Sequence, residues 1–298
     1  MRLWIDTDIG DDIDDILAIS WALKKGVEIV GISTVYREAE KRLNIVKELL
    51  EVANKKEINL YAGYSSVITN NPIPLGKLNY KSALDVEESN PETAVDALIA
   101  AVEKYEDLTV LIIGAQTNIA KACLKAPETM KKAKLLIMGG AFYVHTAEWN
   151  IVGDPKAAEI VSKCGADITY IPWDITRTIC IGQENYQKIL AIDENTERGV
   201  VANFVKQWSE RNKYIPLLHD PAAFYYCLRE DLFELIDVRV KIVGEGEFMG
   251  LTLNLNDYTF RHDKAVEYPT IKLAVKANND VIIADFMKDV FGIVSEEN

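Results

Sequence analysis

Residues 1–15 read MRLWIDTDIGDDIDD, an apolar start running into six aspartates within the ten positions from Asp6 to Asp15. Leu3, Trp4 and Ile5 make a short apolar run of the kind buried in a parallel strand. The residues that follow, DDILAISWALKKG (14–26), carry helical period and stop at Gly26. A strand that passes through an acidic turn into a helix is the opening of a β-α-β unit. The acidic turn then lies at the strand's carboxyl end, where open parallel sheets bind ligands.

The same alternation continues along the chain. VEIVGISTV (27–35) reads as a second strand, and EAEKRLNIVKELLEVANKK (38–56) as a helix with Leu43, Val46, Leu49, Leu50 and Ala53 on one face. INLYAG (58–63), LTVLIIGA (108–115), AKLLIMGGA (133–141) and ADITYIPWDIT (166–176) are further strand candidates, and PETAVDALIAAVEKYE (91–106) opens a helix with proline. After residue 180 the pattern turns helical, then gives strand-like VRVKIVG, MGLTLNL and TIKLAVK and a closing helix DVIIADFMKDVF. The expected fold is α/β, a mostly parallel central sheet flanked by helices with extra C-terminal helices and strands, in one domain over 1–298. Residues 63–90 lack period and hold two X-Pro steps, which reads as a surface excursion near the ligand mouth.

Charge narrows the partners. Forty-six acidic against 33 basic residues give a net −13, with no basic stripe for a phosphate backbone. A small neutral or cationic ligand, or an anion neutralised by metal, fits better. Cys123, Cys164, Cys180 and Cys227 are far apart in apolar stretches and read as reduced, buried thiols. No apolar run reaches the roughly 18 residues of a spanning helix and no leader-like segment opens the chain, so no membrane and a cytosolic location are expected.

Six carboxylates in one turn repel strongly unless they splay into water or share a cation. An all-oxygen donor set suits Ca²⁺, with its six to eight ligands, better than Zn²⁺. Asp12, Asp14 and Asp15 also fit as helix-cap and first-turn acids, and a D-x-D phosphohydrolase using Asp6 or Asp8 is a rival for the cluster. Further along, LLHDPAAF (217–224) sets His219 beside Asp220 at a helix start, with Pro221 as first helical residue. GAQTNIAKA (114–122) and AEWNIVGDPKAAEIV (147–161) present Thr117, Asn118, Glu148, Asn150 and Asp154 at strand-to-helix turns. All of these turns fall on one edge of the expected sheet.

Together the stretches resemble the nucleoside hydrolases, which cleave the N-glycosidic bond of ribonucleosides. DTDIGDDIDDILA is similar to the family's D-x-D-P-G-x-D-D-A with two extra residues, IGAQTNIA to G-P-L-T-N-I-A, EWNIVGDPKAA to E-F-N-x-x-x-D-P-E-A-A, and HDPAA to the late H-D-P. The resemblance implies a Rossmann-like core, a bound Ca²⁺, a nucleoside substrate feeding nucleobase salvage, and a homodimer or homotetramer. It implies Asp8 as general base and metal ligand, Asp15 and Asp220 as ligands, and Thr117 as a ligand through its carbonyl. Asp14, Glu148 and Asn150 would hold the ribose. His219 would act as acid for the leaving base, whose protonation an imidazole of ordinary pKa near 6.5 suits. Trp208 and Tyr214 are the candidates for stacking on the base. Where the family has V-x-G-N or V-x-G-D, this chain reads Val35-Tyr36-Arg37-Glu38, so Glu38 is the expected ribose contact in place of Asn or Asp. The segment 140–148 is short and lacks a sugar-binding Asn. A ribosyl-binding protein with weak catalysis is the remaining alternative.

Overall fold

The computed structural model describes residues 1–73, 78–80, 82, 84–256 and 267–294. Among the described residues one sheet is built from β1 (Arg2–Thr7), β2 (Glu28–Thr34), β3 (Leu60–Ala62), β4 (Leu108–Ile113), β5 (Lys134–Met138), β6 (Asp167–Ile171), β7 (Phe233–Ile242), β8 (Thr252–Asn254) and β9 (Thr270–Ala277). Its order is β3-β2-β1-β4-β5-β6-β9-β7-β8. The first six strands and β9 run parallel, while β7 lies antiparallel to β9 and β8 antiparallel to β7. The sheet is the mixed, mostly parallel one expected from the alternating pattern.

Helices cover both faces: α1 (Asp14–Lys24), α2 (Ala39–Val52), α3 (Pro91–Lys104), α4 (Thr117–Lys125), α5 (Pro127–Met130), α6 (Trp149–Gly153), α7 (Pro155–Ser162), α8 (Trp173–Thr176), α9 (Gly182–Leu190), α10 (Glu197–Asn212), α11 (His219–Tyr226) and α12 (Asn279–Phe286), the last running into a π-helical turn Met287–Phe291. The two-residue period of the strands sorts the core. Leu3, Ile5, Leu111 and Ile113 point to one side and pack with α1, α2, α10 and α11. Trp4, Val110 and Ile112 point to the other and pack with α3, α4 and α7. Among the described residues no helix is long and apolar enough to cross a membrane.

Strand order reverses at β1, with β2 and β3 on one side and β4, β5 and β6 on the other. The chain segments leaving β1 and β4 therefore part, and a crevice opens at their carboxyl ends. Thr7 pairs there with Thr34 of β2 and Ile113 of β4, so three strand ends meet at one level.

Several expected boundaries shift for physical reasons. The run 166–176 is not one strand: β6 ends at Ile171, and after Pro172, which has no N–H for a ladder, Trp173–Thr176 form a helical turn. Helix α11 begins at His219, two residues before Pro221, still inside the first turn where a missing N–H costs nothing. In α2 the buried face is Arg42, Ile45, Val46, Leu49 and Leu50, while Leu43 and Ala53 are only partly covered. Of the four free cysteines, Cys123 is buried and the other three are partly buried. The excursion over 63–90 lies partly outside the described residues; its described part is tied to the core, with Ile68 and Thr69 donating main-chain N–H groups to Asp154.

Candidate active site

The aspartate turn is held from several directions. Gly10 takes φ +112°, a conformation that calls for glycine, and a Cβ there would stand 2.6 Å from the end of the Leu78 side chain and 2.7 Å from that of Ile45, which would have to move aside. Its carbonyl accepts from the N–H groups of Asn79 at 2.7 Å and Tyr80 at 3.2 Å, and the Asn79 amide donates to the Asp11 carbonyl at 2.6 Å. This turn sends its acids to different places. Asp6 stays inside the sheet, accepting from Ser33 and from Asn118. Asp8, Asp11 and Asp12 line the crevice, as do Asp14 and Asp15 from the first turn of α1. The Thr7 hydroxyl donates to Asp15.

From the far end of the chain, the first turn of α11 brings Asp220 to the same point. Asp14, Asp15 and Asp220, all buried, each place a carboxylate oxygen within 4.8 Å of the others. One oxygen of Asp220 is buried without a hydrogen-bond partner. An orphaned carboxylate oxygen facing two further carboxylates is unfavourable for the protein alone and fits a bound cation. The donors are all oxygen, the set a hard ion takes.

Burial and mutual repulsion push these acids towards their neutral forms. Asp14, Asp15 and Asp220 are each raised well above the ordinary carboxylate range, first by desolvation and then by the charges of neighbouring aspartates, Asp8 and Asp12 among them. Asp8 rises to about 7, mainly by burial, with Arg42 pulling it back and Asp11 and Glu148 adding to the rise. A carboxylate near neutrality is well placed to take a proton from water. Gly114, at the end of β4, lets Asp8 come close: a Cβ there would stand 2.7 Å from the Asp8 N and 3.0 Å from its Oδ1.

These groups line a cavity of about 430 Å³. Its opposite wall comes from the turn after β5. The Glu148 side chain caps α6, accepting from the N–H groups of Asn150 and Ile151, and also binds the Gly140 N–H at 2.9 Å. The Asn150 amide donates to the Met138 carbonyl at 3.1 Å. His219 lines the cavity with its Nδ1 2.7 Å from the hydroxyl of Thr176. Burial lowers its pKa to about 4, so the ring is neutral at physiological pH. Trp208 is buried and packs edge-on against Tyr214, 4.9 Å between centroids; Tyr214 is 56% exposed at the mouth.

The structure thus brings together Asp8, Asp14, Asp15, Glu148, Asn150, Trp208, Tyr214, His219 and Asp220. It does not bring Glu38 or Thr117. Tyr36 and Arg37 take φ +70° and +51°, and this left-handed turn puts the Tyr36 ring on the cavity wall, leaving Glu38 exposed and paired with Lys41. Thr117, expected to offer its main-chain carbonyl, is not among the residues lining the cavity, and its hydroxyl donates to Asp154 at 2.7 Å; the β4 residue on the wall is Ile113. Sequence reasoning missed Tyr36, Asn79, Trp149 and Trp173, which line the cavity from loops or single helical turns. Only the W of EWN, next to two residues already singled out, gave a usable signal.

Comparisons with known proteins identify the family and the fold. Residues 3–284 match the family model described as inosine-uridine preferring nucleoside hydrolase. Uridine nucleosidase 1 of Arabidopsis thaliana is 30% identical over 274 residues, 85% of this chain and 81% of that protein. The pyrimidine-specific ribonucleoside hydrolase RihA of Escherichia coli is 29% identical over 277 residues, 85% and 88% of the two chains. The solved structure of a purine-preferring ribonucleoside hydrolase from Gardnerella vaginalis superimposes with a TM-score of 0.78 at 28% identity, covering 98% of each chain.

Proposed function

Because this chain belongs to the inosine-uridine preferring nucleoside hydrolase family, we propose that it hydrolyses ribonucleosides to free nucleobase and ribose with the aid of a Ca²⁺ ion. The observation that carries the reading is the convergence of Asp14, Asp15 and Asp220, with Asp8 beside them, on one cavity at the carboxyl ends of the strands. Asp8, Asp14, Asp15 and Asp220 would hold the ion, and an all-carboxylate set favours Ca²⁺ over Zn²⁺. If a main-chain carbonyl of β4 joins them, Ile113 is better placed than Thr117.

The bound ion would supply positive charge and oxygen coordination for ribose hydroxyls and water. Asp8 takes a proton from the attacking water as its oxygen bonds to C1′. The C1′–N bond breaks, and its electron pair leaves with the base. Positive charge building on the ribosyl ring meets a wall of carboxylates, with Asp14, Glu148 and Asn150 orienting the sugar. In the tautomer in which Nδ1 accepts from the Thr176 hydroxyl, the neutral His219 ring would carry its N–H on Nε2 and give the departing base a hydrogen bond; the base then takes its proton from solvent. No Lys or Arg lines the cavity among the described residues, which weighs against a phosphorylated substrate. A homodimer or homotetramer acting in the cytosol goes with this reading and is checked by light scattering and cell fractionation.

The test is a panel of inosine, adenosine, guanosine, uridine and cytidine assayed for reducing sugar, before and after chelation. Release from at least one, lost on chelation and restored by Ca²⁺, is expected. Nucleoside binding with no sugar released from any of them would make the protein a ribosyl-binding protein instead, and release indifferent to chelation would remove the metal.

A further inference from the structure

Helix α2 buries an arginine where its neighbours on the same face are Ile45, Val46 and Leu49. Arg42 is 1% exposed. A guanidinium has five N–H donors, and each of the five has an acceptor here. Nε donates to the Tyr36 carbonyl at 2.9 Å. Nη1 donates to the carbonyls of Asp8 and, at 3.0 Å, Ile9. Nη2 reaches both oxygens of Asp11 at 3.1 Å. The three carbonyls belong to the turns that leave β1 and β2, so one side chain ties two neighbouring strand ends together.

Desolvating a charged group is unfavourable unless its partners are complete, and apolar residues of similar volume often serve stability as well. A fully satisfied guanidinium in this position does what an apolar residue cannot, which is to fix the direction of three carbonyls. One of them is the carbonyl of Asp8, whose carboxylate faces the cavity. Arg42 itself does not line the cavity. The acceptor that closes the clamp, Asp11, stands in the stretch that carries two more residues than the pattern the chain resembles.

We propose that Arg42 is a positioning residue whose clamp, closed by Asp11, fixes the loop that presents Asp8 to the metal and the substrate. The proposal rests on the functional reading above. A guanidinium so near the carboxylates also acts by charge alone, and the two effects have opposite signs for cation binding. Charge alone opposes Ca²⁺, so removing it tightens binding; a lost clamp misplaces Asp8 and weakens it.

Two substitutions separate them. Arg42→Lys keeps the charge but has three donors on one nitrogen and cannot span the five acceptors. Arg42→Met keeps the stem and loses the charge. Ca²⁺ is titrated calorimetrically into metal-free wild type and both variants, with thermal melts to establish folding and kcat and KM measured on a nucleoside that the wild type cleaves. The clamp predicts that both variants bind Ca²⁺ about tenfold or more weakly, with kcat down about 10- to 100-fold and KM changed less. Unchanged Ca²⁺ affinity and kcat in Arg42→Lys together with tighter binding in Arg42→Met overturn it. If neither variant folds, Asp11→Ala and Asp11→Asn decide, since Asp11 also lines the cavity: kcat lowered in Asp11→Ala and largely restored in Asp11→Asn, which keeps an acceptor oxygen for Nη2, supports the clamp, whereas wild-type kcat in Asp11→Ala or equal losses in both refute it. A wild type that binds no Ca²⁺ and cleaves no nucleoside refutes the functional reading itself, whereas wild-type-like variants beside an active wild type refute only the clamp.

Discussion

Stripped of metal, the protein should lose stability as pH rises, and Ca²⁺ should return the part that comes from the cavity acids. Asp6 and Asp8 stand at about 7 in the fold against 3.8 for an unperturbed carboxyl. A folded pKa above the unfolded one means that the native state keeps a proton the unfolded chain has released. Stability is therefore full below about pH 4 for these groups and falls as pH climbs to about 7. Between about pH 5 and about pH 8 each such carboxylate removes on the order of 2–3 kcal/mol by proton linkage. The two together lower Tm by about 10 °C, at roughly 2 °C per kcal/mol for a chain of this size. Asp14, Asp15 and Asp220 shift the same way and deepen the fall. Ca²⁺ in excess offsets the part due to the cavity acids; at about 100 times its Kd it stabilises by about 2.7 kcal/mol. Asp6 lies inside the sheet and outside the cavity, so its part persists with Ca²⁺ and should disappear in Asp6→Asn. Differential scanning calorimetry of chelated and Ca²⁺-loaded protein across this pH range reads both parts. A metal-free Tm that is flat or rising over the range, or a Tm at the alkaline end unmoved by Ca²⁺, refutes the reasoning.

Three other outcomes follow from particular contacts. His219 is neutral above about pH 4, so the kcat profile should show no limb near pH 6.5 that vanishes in His219→Gln; such a limb would restore the imidazolium as acid. Gly114→Ala drives a methyl against the Asp8 backbone N at 2.7 Å and should lower kcat while the chain still folds, read by kinetics beside circular dichroism. Glu38→Ala should leave kcat and KM within about twofold and Tm within about 1–2 °C, because the side chain is exposed and its ion pair among the described residues is with Lys41, itself at the surface.

Much of the fold was legible because strands buried on both faces and helices buried on one leave different periods in the sequence. LTVLIIGA and AKLLIMGGA mark β4 and β5 without help from any motif. Most of the acids of the site were legible too, since carboxylates at strand ends carry no packing role that would explain them. What failed was whatever depends on a turn's handedness. Nothing in Val35-Tyr36-Arg37-Glu38 announces two non-glycine residues at positive φ, and that turn exchanges Tyr36 for Glu38 at the wall. Arg42 was invisible for another reason: on a helix an arginine reads as a solvent-facing residue until its five acceptors, drawn from two different loops and one carboxylate, are in place. The aromatic wall escaped for the same cause, because Trp149 and Trp173 come from short helices with no period of their own.

The central claim is that Asp8 removes the proton from the water that cleaves the nucleoside. Its most direct test is base release by Asp8→Asn under single-turnover conditions with saturating Ca²⁺ and a nucleoside that the wild type hydrolyses. The account predicts that the variant folds, binds Ca²⁺ and nucleoside, and releases base about 100- to 10,000-fold more slowly, the range for loss of a general base. Base release at the wild-type rate would contradict it.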